Sequence, residues 1–421
     1  MSEMDRRTFV GNAAGAFAGV LLVAGCKEAP KSVLPSGAQV RLGIIGAGSR
    51  GQELMRTFLR VPGVRFTGLC DVYEPRFAEG REITREQTPV YHDYRELLAA
   101  KDIDAVVVAT PLSFHAEHII AALESGRYVY GEKSMAKTVE ECDQIVETVK
   151  RRGNYYQVGV QYHYATWYRE TLRRIREGKL GQVTQVYAYW HRNNNWRRPV
   201  PDPHDTKLER LINWRMYKQY SLGLMAELGS HHIAFANEVF GAVPESVVGS
   251  GGIDYWKDGR ETYDNVQVVY RYPGGKTLSF SAITTNAHEG AQLKVFGTEG
   301  SAVLTEADGM LFYEAKQLKA SAVTKVLINH GIMTGASYMP EMPYRGKGEA
   351  VPVPDDVEGN ANYLACESFV HSVLTHKRPE ADDQLGWGEA VAVILGNQAI
   401  EQEKRIWFRD YMPKKVEASA S

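Results

Sequence analysis

A glycine-rich turn followed by one acidic residue is the strongest chemical signal in this sequence. The turn reads Gly46-x-Gly48-x-x-Gly51 between an apolar run and a helix-compatible stretch, and Asp71 closes the next apolar run 20 residues later. In such a strand–turn–helix–strand unit the glycines let the backbone approach a diphosphate, and the helix N-terminus offers it free N–H groups. A carboxylate at the end of the second strand accepts the ribose hydroxyls. The spacing therefore predicts a dinucleotide site, with a plain glycine turn in an α/β domain as the alternative.

The acid also indicates which dinucleotide is bound. A carboxylate at Asp71 repels the 2′-phosphate of NADP, so the predicted cofactor is NAD. Arg76 follows closely and keeps NADP as the less favoured alternative. Ser49 and Arg50 lie inside the glycine turn, and we expect both to contact the nucleotide.

A second cluster combines aromatic, amide and guanidinium side chains from Trp190 to Arg198 and again at 213–217. Aromatic faces stack on the C–H faces of sugar rings, and Asn and Arg hydrogen-bond adjacent hydroxyls. We therefore predict a carbohydrate site, with a subunit contact, which also favours Trp and Arg, as the alternative. The predicted substrate-binding residues are Arg192, Asn193, Trp196, Arg197, Trp214 and Tyr217.

Alternating apolar strands and amphipathic helices must position the glycine turn. This alternation predicts a doubly wound parallel sheet, a Rossmann domain, over residues 40–160. Ligands of such sheets lie beyond the carboxyl ends of the strands. Residues that follow the predicted strands are therefore expected at the cofactor edge, and these are Thr110, His115, Glu132 and Lys133.

The pattern changes after residue 160. One amphipathic helix is followed by several strands without intervening helices, which predicts an open, mostly antiparallel sheet. A final helix, LGWGEAVAVILGNQAIEQEKR, is expected to pack back against the rest. The predicted fold class is therefore α/β, with a second α/β domain over residues 161–412 that binds the substrate.

The N-terminal segment predicts export. Arg6-Arg7 is a twin-arginine signature, an apolar stretch follows, and small residues precede Cys26 as in a lipoprotein cleavage box. We expect a signal peptide over 1–26 with a lipid anchor at Cys26, ordinary cleavage being the alternative, and a polar linker over 27–39. The expected location is the periplasm, or the membrane as a lipoprotein that faces outside the cytoplasm. A disordered tail is expected over 413–421.

Composition narrows the choice of partners. The 421 residues include 44% apolar types, enough for two domains, and a net charge of −2 gives no reason to expect nucleic acid. The four cysteines suggest no disulfide framework. His191, His204 and Asp205 lack the spacing of a metal site, so no metal is predicted.

The chain resembles the Gfo/Idh/MocA oxidoreductases over residues 40–410. The resemblance rests on four segments in the right order: GIIGAGSRG, ATPLSFHAEHIIAALESGRYVYGEKS, EGKLGQVTQVYAYW and GLMAELGSHHIAFAN. It implies a Rossmann domain and a C-terminal domain whose open sheet carries the substrate site and often the oligomer interface. A homo-oligomer, either a dimer or a tetramer, is therefore expected.

The resemblance also implies catalytic roles. The family's Glu-Lys-Pro matches Glu132-Lys133-Ser134, and its lysine touches the nicotinamide ribose and the reacting hydroxyl. Its Asp-x-x-x-His matches Glu227 and His231, which α-helical spacing would place on one face. We expect His231 to be the general base or acid, Glu227 to orient it, and Lys133 to polarise the hydroxyl.

Three positions depart from the family pattern. Ser134 replaces the proline, Leu112 replaces an asparagine, and Ala234 replaces an acid three residues after the histidine. The geometry around the lysine is therefore the least secure part of the match. His232 is the rival of its neighbour His231 for the catalytic role.

The sequence predicts an exported oxidoreductase that transfers hydride between a tightly bound NAD and a sugar or glycoside hydroxyl or keto group. Retention is expected because a compartment outside the inner membrane lacks a free NAD(H) pool. One alternative is an NAD-dependent glycosidase that acts through transient oxidation, as in the related glycoside hydrolase family 109. The Tyr-Pro-Thr-His stretch of that family is absent, and residues 227–231 stand in its place. The other alternative is a sugar-binding relative without catalysis.

Overall fold

The computed structural model describes residues 37–202, 204–306, 308–314, 326–327, 329–332, 348–351 and 360–412. The predicted signal peptide, most of the predicted linker and the predicted tail lie outside these residues. No helix within the described ranges is long and apolar enough to cross a membrane.

A parallel sheet forms the first half of the chain. Its strands are β1 (Val40–Ile45), β2 (Val64–Cys70), β3 (Val90–Tyr91), β4 (Ala105–Val108), β5 (Tyr128–Glu132) and β6 (Tyr156–Gly159). They pair in the order β3-β2-β1-β4-β5-β6, with every neighbouring pair parallel. The strand order reverses beside β1, which opens a crevice at the carboxyl ends of β1 and β4. The predicted Rossmann sheet is confirmed.

Helices cover both faces of this sheet. They are α1 (Ser49–Phe58), α2 (Pro75–Thr84), α3 (Tyr94–Ala99), α4 (His115–Glu124) and α5 (Val139–Arg152). α5 shows why the sequence ends its helices where it does. Thr138 and Glu141 form a capping box at its start, and Gly153 closes it with a positive φ of 71°.

A nine-stranded sheet forms the second half. Its helices and strands are α6 (Thr166–Arg176), β7 (Val183–His191), α7 (Thr206–Ile212), α8 (Ser230–Phe240), β8 (Ser246–Gly252), β9 (Asn265–Arg271), β10 (Thr277–Ile283), β11 (Ala291–Gly297), β12 (Gly300–Leu304), β13 (Gly309–Tyr313), β14 (Glu349–Ala350) and β15 (Ile406–Trp407). The order is β14-β13-β12-β11-β7-β10-β9-β8-β15, and only the β7–β10 pair is parallel among the pairs described. The expected open, mostly antiparallel sheet is confirmed.

Two C-terminal helices tie the halves together. α9 (Ala361–Thr375), which the sequence patterns did not predict, packs on the parallel sheet, where the ring of Phe369 lies 6.0 Å from Phe58 and 5.7 Å from Tyr130. α10 (Asp383–Glu401) is the predicted final helix, and it contacts β6 and α5 as well as α8 and β8. The C-terminus therefore holds both sheets in one arrangement.

Candidate functional site

One cleft of about 850 Å³ lies at the carboxyl ends of the parallel strands. Gly48 and Asp71 line one part of it, and Lys133, Trp190 and His231 line another. The cleft therefore joins the predicted dinucleotide site to the predicted catalytic and sugar-binding residues.

The three glycines of the turn have different roles. Gly46 has a φ of 94°, and a Cβ there would lie 2.7 Å from the backbone of Ala109. A Cβ on Gly51 would lie 2.1 Å from the carbonyl oxygen of Gly46, so this residue packs α1 against the turn and does not line the cleft. A Cβ on Gly48 would meet nothing within 4 Å and would stand in the cleft. This cradle fits a diphosphate against the start of α1.

Asp71 follows β2 and lines the cleft. Its Oδ2 accepts a hydrogen bond from the Ala47 N–H at 2.7 Å, and its Oδ1 accepts one from the Tyr73 N–H at 2.9 Å. Burial raises the pKa of the Asp71 carboxyl, and these N–H groups partly offset that effect. Arg76 lines the same part of the cleft, paired with Glu79 at 2.6 Å.

Arg50 and Glu132 contact each other rather than standing apart. The Arg50 Nε donates to Glu132 Oε1 at 2.7 Å, and a second nitrogen lies 2.9 Å from Glu53. Both residues line the cleft, as does Ser49. Their charges are mutually compensated before any ligand is considered.

His115 joins the ends of two strands. Its Nδ1 lies 2.8 Å from the Ser134 carbonyl oxygen, and its Nε2 lies 2.9 Å from the Thr110 carbonyl oxygen. Burial lowers the pKa of His115. Because its two ring nitrogens face the carbonyls of Thr110 and Ser134, His115 holds the segments after β4 and β5 together. It has no free nitrogen to offer a nucleotide.

Lys133 is held by the second domain. Its ammonium donates to the carbonyl oxygens of Ala226 and Glu227, both at 2.9 Å. The peptide bond to Ser134 is cis. The Ser134 hydroxyl lies 2.8 Å and 2.9 Å from the two oxygens of Glu389, a fully buried carboxyl on α10. Sequence reasoning missed Glu389 because 255 residues separate it from Ser134.

The expected role of Glu227 needs correction. Its carboxylate accepts a hydrogen bond of 2.6 Å from Arg215 and has no contact of that kind with His231. Although burial alone would raise the pKa of Glu227, the charges of Arg215 and Lys133 lower it below its ordinary value. Glu227 lies in a π-helical turn, Met225–Gly229, so the four-residue spacing of an α-helix does not place it beside His231. Glu227 compensates cations and does not orient His231.

His231 lines the cleft, and its ring centroid lies 4.7 Å from that of Tyr162. Its Nδ1 is buried and has no hydrogen-bond partner among the residues described. Burial, followed by the positive charge of Lys133, lowers the pKa of His231 well below its ordinary value. The imidazole is therefore neutral and able to accept a proton.

His232 faces a different environment. Its ring lies 5.4 Å from Trp190 and 5.7 Å from Phe280, and it is not among the residues that line the main cleft. Burial lowers the pKa of His232 to about 4. This placement favours His231 over its neighbour for contact with a substrate.

The predicted sugar-binding residues divide into two groups. Arg192, Trp196 and Trp214 line the cleft, together with Trp190 and Tyr162.

The other three predicted residues, Asn193, Arg197 and Tyr217, do not line it. Arg197 and Tyr217 both bond to Glu209, and Asn193 forms a β-bridge with Thr285. Arg197 and Tyr217 thus have a side-chain partner inside the second domain, and Asn193 is exposed away from the cleft, so the structure does not bring these three residues to the predicted substrate site.

Arg198 is a cleft residue outside the predicted set. It donates a hydrogen bond of 2.6 Å to the Ser49 hydroxyl at the first residue of α1. Arg198 lies in the segment rich in arginine and tryptophan that predicted the sugar site, but nothing in the sequence distinguished it from Arg197. Tyr162 and Arg215 were likewise visible only once the fold brought them to the cleft.

Comparisons with family models agree with this architecture. Residues 40–160 match the model described as "Oxidoreductase family, NAD-binding Rossmann fold". Residues 168–303 match the model described as "GFO/IDH/MocA C-terminal domain".

Individual proteins are also similar. A glycosyl hydrolase family 109 protein of Shewanella baltica (strain OS155 / ATCC BAA-1091) is 30% identical over 240 residues, 52% of this chain and 51% of that protein. The chain thus spans about half the length of the curated relatives it matches. Levoglucosan dehydrogenase in complex with NADH has the same fold, with a TM-score of 0.70 and 18% identity over 88% of this chain and 99% of that one. Aldose-aldose oxidoreductase from Caulobacter crescentus gives a TM-score of 0.66 and 18% identity over the same shares.

Proposed function

Because the chain belongs to the Gfo/Idh/MocA oxidoreductase family, we propose that it transfers hydride between NAD and a hydroxyl or keto group of a sugar or glycoside. The observation that carries this proposal is the continuity of one cleft. Gly48 and Asp71 belong to its nucleotide part, and His231 and Trp196 belong to its substrate part. A cofactor and a sugar bound in that cleft would meet beside Lys133.

NAD, when bound, supplies the hydride acceptor, and the protein must handle the proton. The neutral ring of His231 accepts the proton of the sugar hydroxyl, because an alcohol loses hydride only as its O–H bond ionises. The ammonium of Lys133 is fixed by two carbonyl oxygens and stabilises the developing alkoxide. The indole rings of Trp190 and Trp196 provide apolar faces for a pyranose and exclude water.

Burial and the neighbouring positive charge keep the imidazole of His231 neutral between proton transfers. Because burial and the charge of Lys133 disfavour protonated His231, a proton taken from the substrate is released readily when the reaction reverses. This suits an enzyme whose cofactor is oxidised and reduced in turn without leaving.

The test is a single-turnover measurement on protein purified without added nucleotide. We expect the protein to retain NAD(H), and a suitable sugar to reduce about one bound NAD⁺ per chain. Replacing Gly48 with Leu should abolish retention, because the side chain would stand in the cradle. Protein that binds neither NAD nor NADP, or that binds NAD and is reduced by no sugar or glycoside, would contradict the proposal.

A glycosidase that oxidises its substrate transiently is the second candidate. Support comes from the curated relatives named glycosyl hydrolase family 109. Oxidation two carbons from the leaving group acidifies the C–H bond of the carbon between them, which permits elimination. Water then adds to the resulting double bond, and the keto group is reduced again, so the net reaction is hydrolysis. A chromogenic glycoside would then release its leaving group while the bound NAD shows no net reduction. Stoichiometric NADH without release of the leaving group would favour the oxidoreductase.

We further infer export by the twin-arginine route, with the cofactor retained. Support comes from Arg6-Arg7 and from the small residues before Cys26. Replacing both arginines with lysine should keep the protein in the cytoplasm, as cell fractionation would report. Steady turnover with free NAD⁺ and an ordinary saturation curve would argue against a retained cofactor.

A homo-oligomer is also proposed. Tyr187 and Val269 are exposed on the same face of the nine-stranded sheet, each at 43% of its maximal area. An apolar sheet face of this kind is a common contact between subunits. Light scattering after size-exclusion chromatography gives the mass, and a monomer at micromolar concentration would contradict the proposal.

A further inference from the structure

The arginines of the cleft differ in whether a carboxylate compensates them. Four of them have a carboxylate partner, and these are Arg50 with Glu132, Arg76 with Glu79, Arg210 with Glu261 and Arg215 with Glu227. Arg192 and Arg198 have none within 4 Å among the described parts of the chain. Two uncompensated guanidinium groups therefore face the same cleft.

The nucleotide accounts for one of the two. Arg198 bonds the Ser49 hydroxyl at the N-terminus of α1, where a diphosphate would lie. Arg192 belongs to the other part of the cleft, so the same anion cannot compensate it. Arg192 is therefore available to a second anion in the substrate part of the cleft.

The side chain of Arg192 is held in place by aromatic rings. Its guanidinium carbon lies 5.2 Å from the ring centroid of Trp190 and 5.9 Å from that of Trp196. Its Nε is buried and lacks a hydrogen-bond partner in the described structure. The two indole rings hold the cation in place but offer no acceptor to the buried Nε–H, and a buried donor without an acceptor is costly.

Arg192 also lies near the predicted reaction centre. The ring of Trp190, on which it stacks, has its centroid 5.9 Å from that of His231. The imidazole and the guanidinium group therefore both lie within reach of one sugar ring.

The other charges nearby leave a positive balance. Glu227 is occupied by Arg215, and the Tyr162 hydroxyl donates to Glu306, an exposed carboxylate, at 3.2 Å. Once the Arg50–Glu132 pair is set aside, three cations, Arg192, Lys133 and Arg215, remain with two carboxylates, Glu227 and Glu306. One negative charge would complete the balance, and a monoanion meets less repulsion from Glu306 than a phosphate dianion does.

We propose that the substrate is a carboxylated sugar, a uronic acid or its glycoside, whose carboxylate is bound by Arg192. This rests on the proposed function, and it names the substrate class of that site. The planar guanidinium fork matches a carboxylate through two parallel hydrogen bonds, a geometry that lysine cannot reproduce.

Matched methyl pyranosides test the proposal. In the gluco, galacto and manno series, one member has a hydroxymethyl group at C6 and the other has a carboxylate. Each is titrated against the full chain loaded with NAD, and binding is followed by tryptophan fluorescence, since Trp190, Trp196 and Trp214 line the cleft. We expect the carboxylated member of at least one series to bind at least about 10-fold more tightly than its neutral partner.

Three variants test whether Arg192 causes the preference for the carboxylated sugar. Arg192→Gln should abolish it, Arg192→Lys should retain only part of it, and Arg151→Gln, at an exposed position on α5, should leave it unchanged. Comparable melting temperatures and NAD content would show that the variants fold. The proposal is overturned if the neutral member binds equally well in every series, if no carboxylated sugar binds, or if the preference survives in Arg192→Gln.

The same sugars separate this inference from the proposed function. If neutral glycosides reduce bound NAD and uronides do not, the proposed hydride transfer stands and the proposed carboxylate site is overturned. Binding of a uronide that depends on Arg192, without any hydride transfer, would support the carboxylate site and overturn the oxidoreductase.

Discussion

Arg198 in the second domain donates a hydrogen bond of 2.6 Å to the hydroxyl of Ser49 in the first. The bond crosses the cleft at the glycine turn, where a diphosphate would lie against α1. Burial, followed by the charges of Arg215 and Arg76, lowers the pKa of Arg198. An anion beside these cations would therefore be held from both sides.

Arg198→Gln should release the nucleotide faster. Loss of one charge-assisted contact with a diphosphate is expected to raise the Kd for NADH about 10-fold, mostly through the dissociation rate. Nucleotide fluorescence in a displacement experiment measures both quantities. Arg197→Gln is the matched control, since that neighbour bonds Glu209 outside the cleft. Equal release rates for the two variants would refute the contact.

His231→Gln should lower the rate of hydride transfer at least about 10²-fold while the nucleotide stays bound, the usual scale for a lost acid–base group. His232→Gln should have a much smaller effect, because Trp190 and Phe280 surround that ring. Stopped-flow absorbance of the bound nicotinamide, in protein of equal NAD content, gives both rates. Reversed effects would show that the neighbouring histidine is the base.

The Glu227–Arg215 pair should show strong coupling. Removing either partner leaves a buried charge uncompensated, so Glu227→Gln and Arg215→Met are each expected to destabilise the fold by about 3 kcal/mol. The double variant should lose less than the sum of the two. Urea denaturation of the four proteins completes the cycle, and additive effects would mean that the pair does not interact.

Glu389 should make stability depend on pH. Burial raises the pKa of this carboxyl from 4.5 to about 7, while Ser134, Ser230 and the charge of Lys133 partly offset the shift. A raised pKa means that the folded state holds the proton more tightly than the unfolded state. The associated stability is thus complete below about pH 4.5 and is lost as the pH rises through about 7.

Glu389→Gln removes this titration and keeps the contact with Ser134. We expect its melting temperature to fall less than that of the wild type between pH 5 and pH 8, a difference on the order of 3 kcal/mol in the free energy of unfolding. Parallel curves for the two proteins would show that Glu389 does not titrate in this window. Glu86→Gln, at an exposed carboxylate that has no ion pair among the described residues, is the control.

Local patterns predicted the nucleotide half of the molecule well. The roles of Gly46, Gly51 and Asp71 depend on turn and strand geometry within a few tens of residues, and the spacing alone carries that information. The two sheets followed from the change between helix-alternating strands and successive strands.

The substrate half was harder because its contacts are distant in sequence. Glu227 pairs with Arg215 rather than with His231, and a π turn lies where an α-helix was assumed. Arg197 and Tyr217 are residue types that are common in sugar sites, yet both donate hydrogen bonds to Glu209. Composition predicted the segment, but only tertiary structure decides which of its side chains face the cleft.

The position of α9 has a consequence for how the protein is made. Phe369 completes a core with Phe58 and Tyr130, although more than two hundred residues separate it from both. A ribosome therefore synthesises most of the second domain, all but α10 and β15, before the first domain can bury those rings. A nascent chain that has finished its parallel sheet still exposes an aromatic surface. This order of synthesis therefore produces an intermediate that a chaperone is expected to bind.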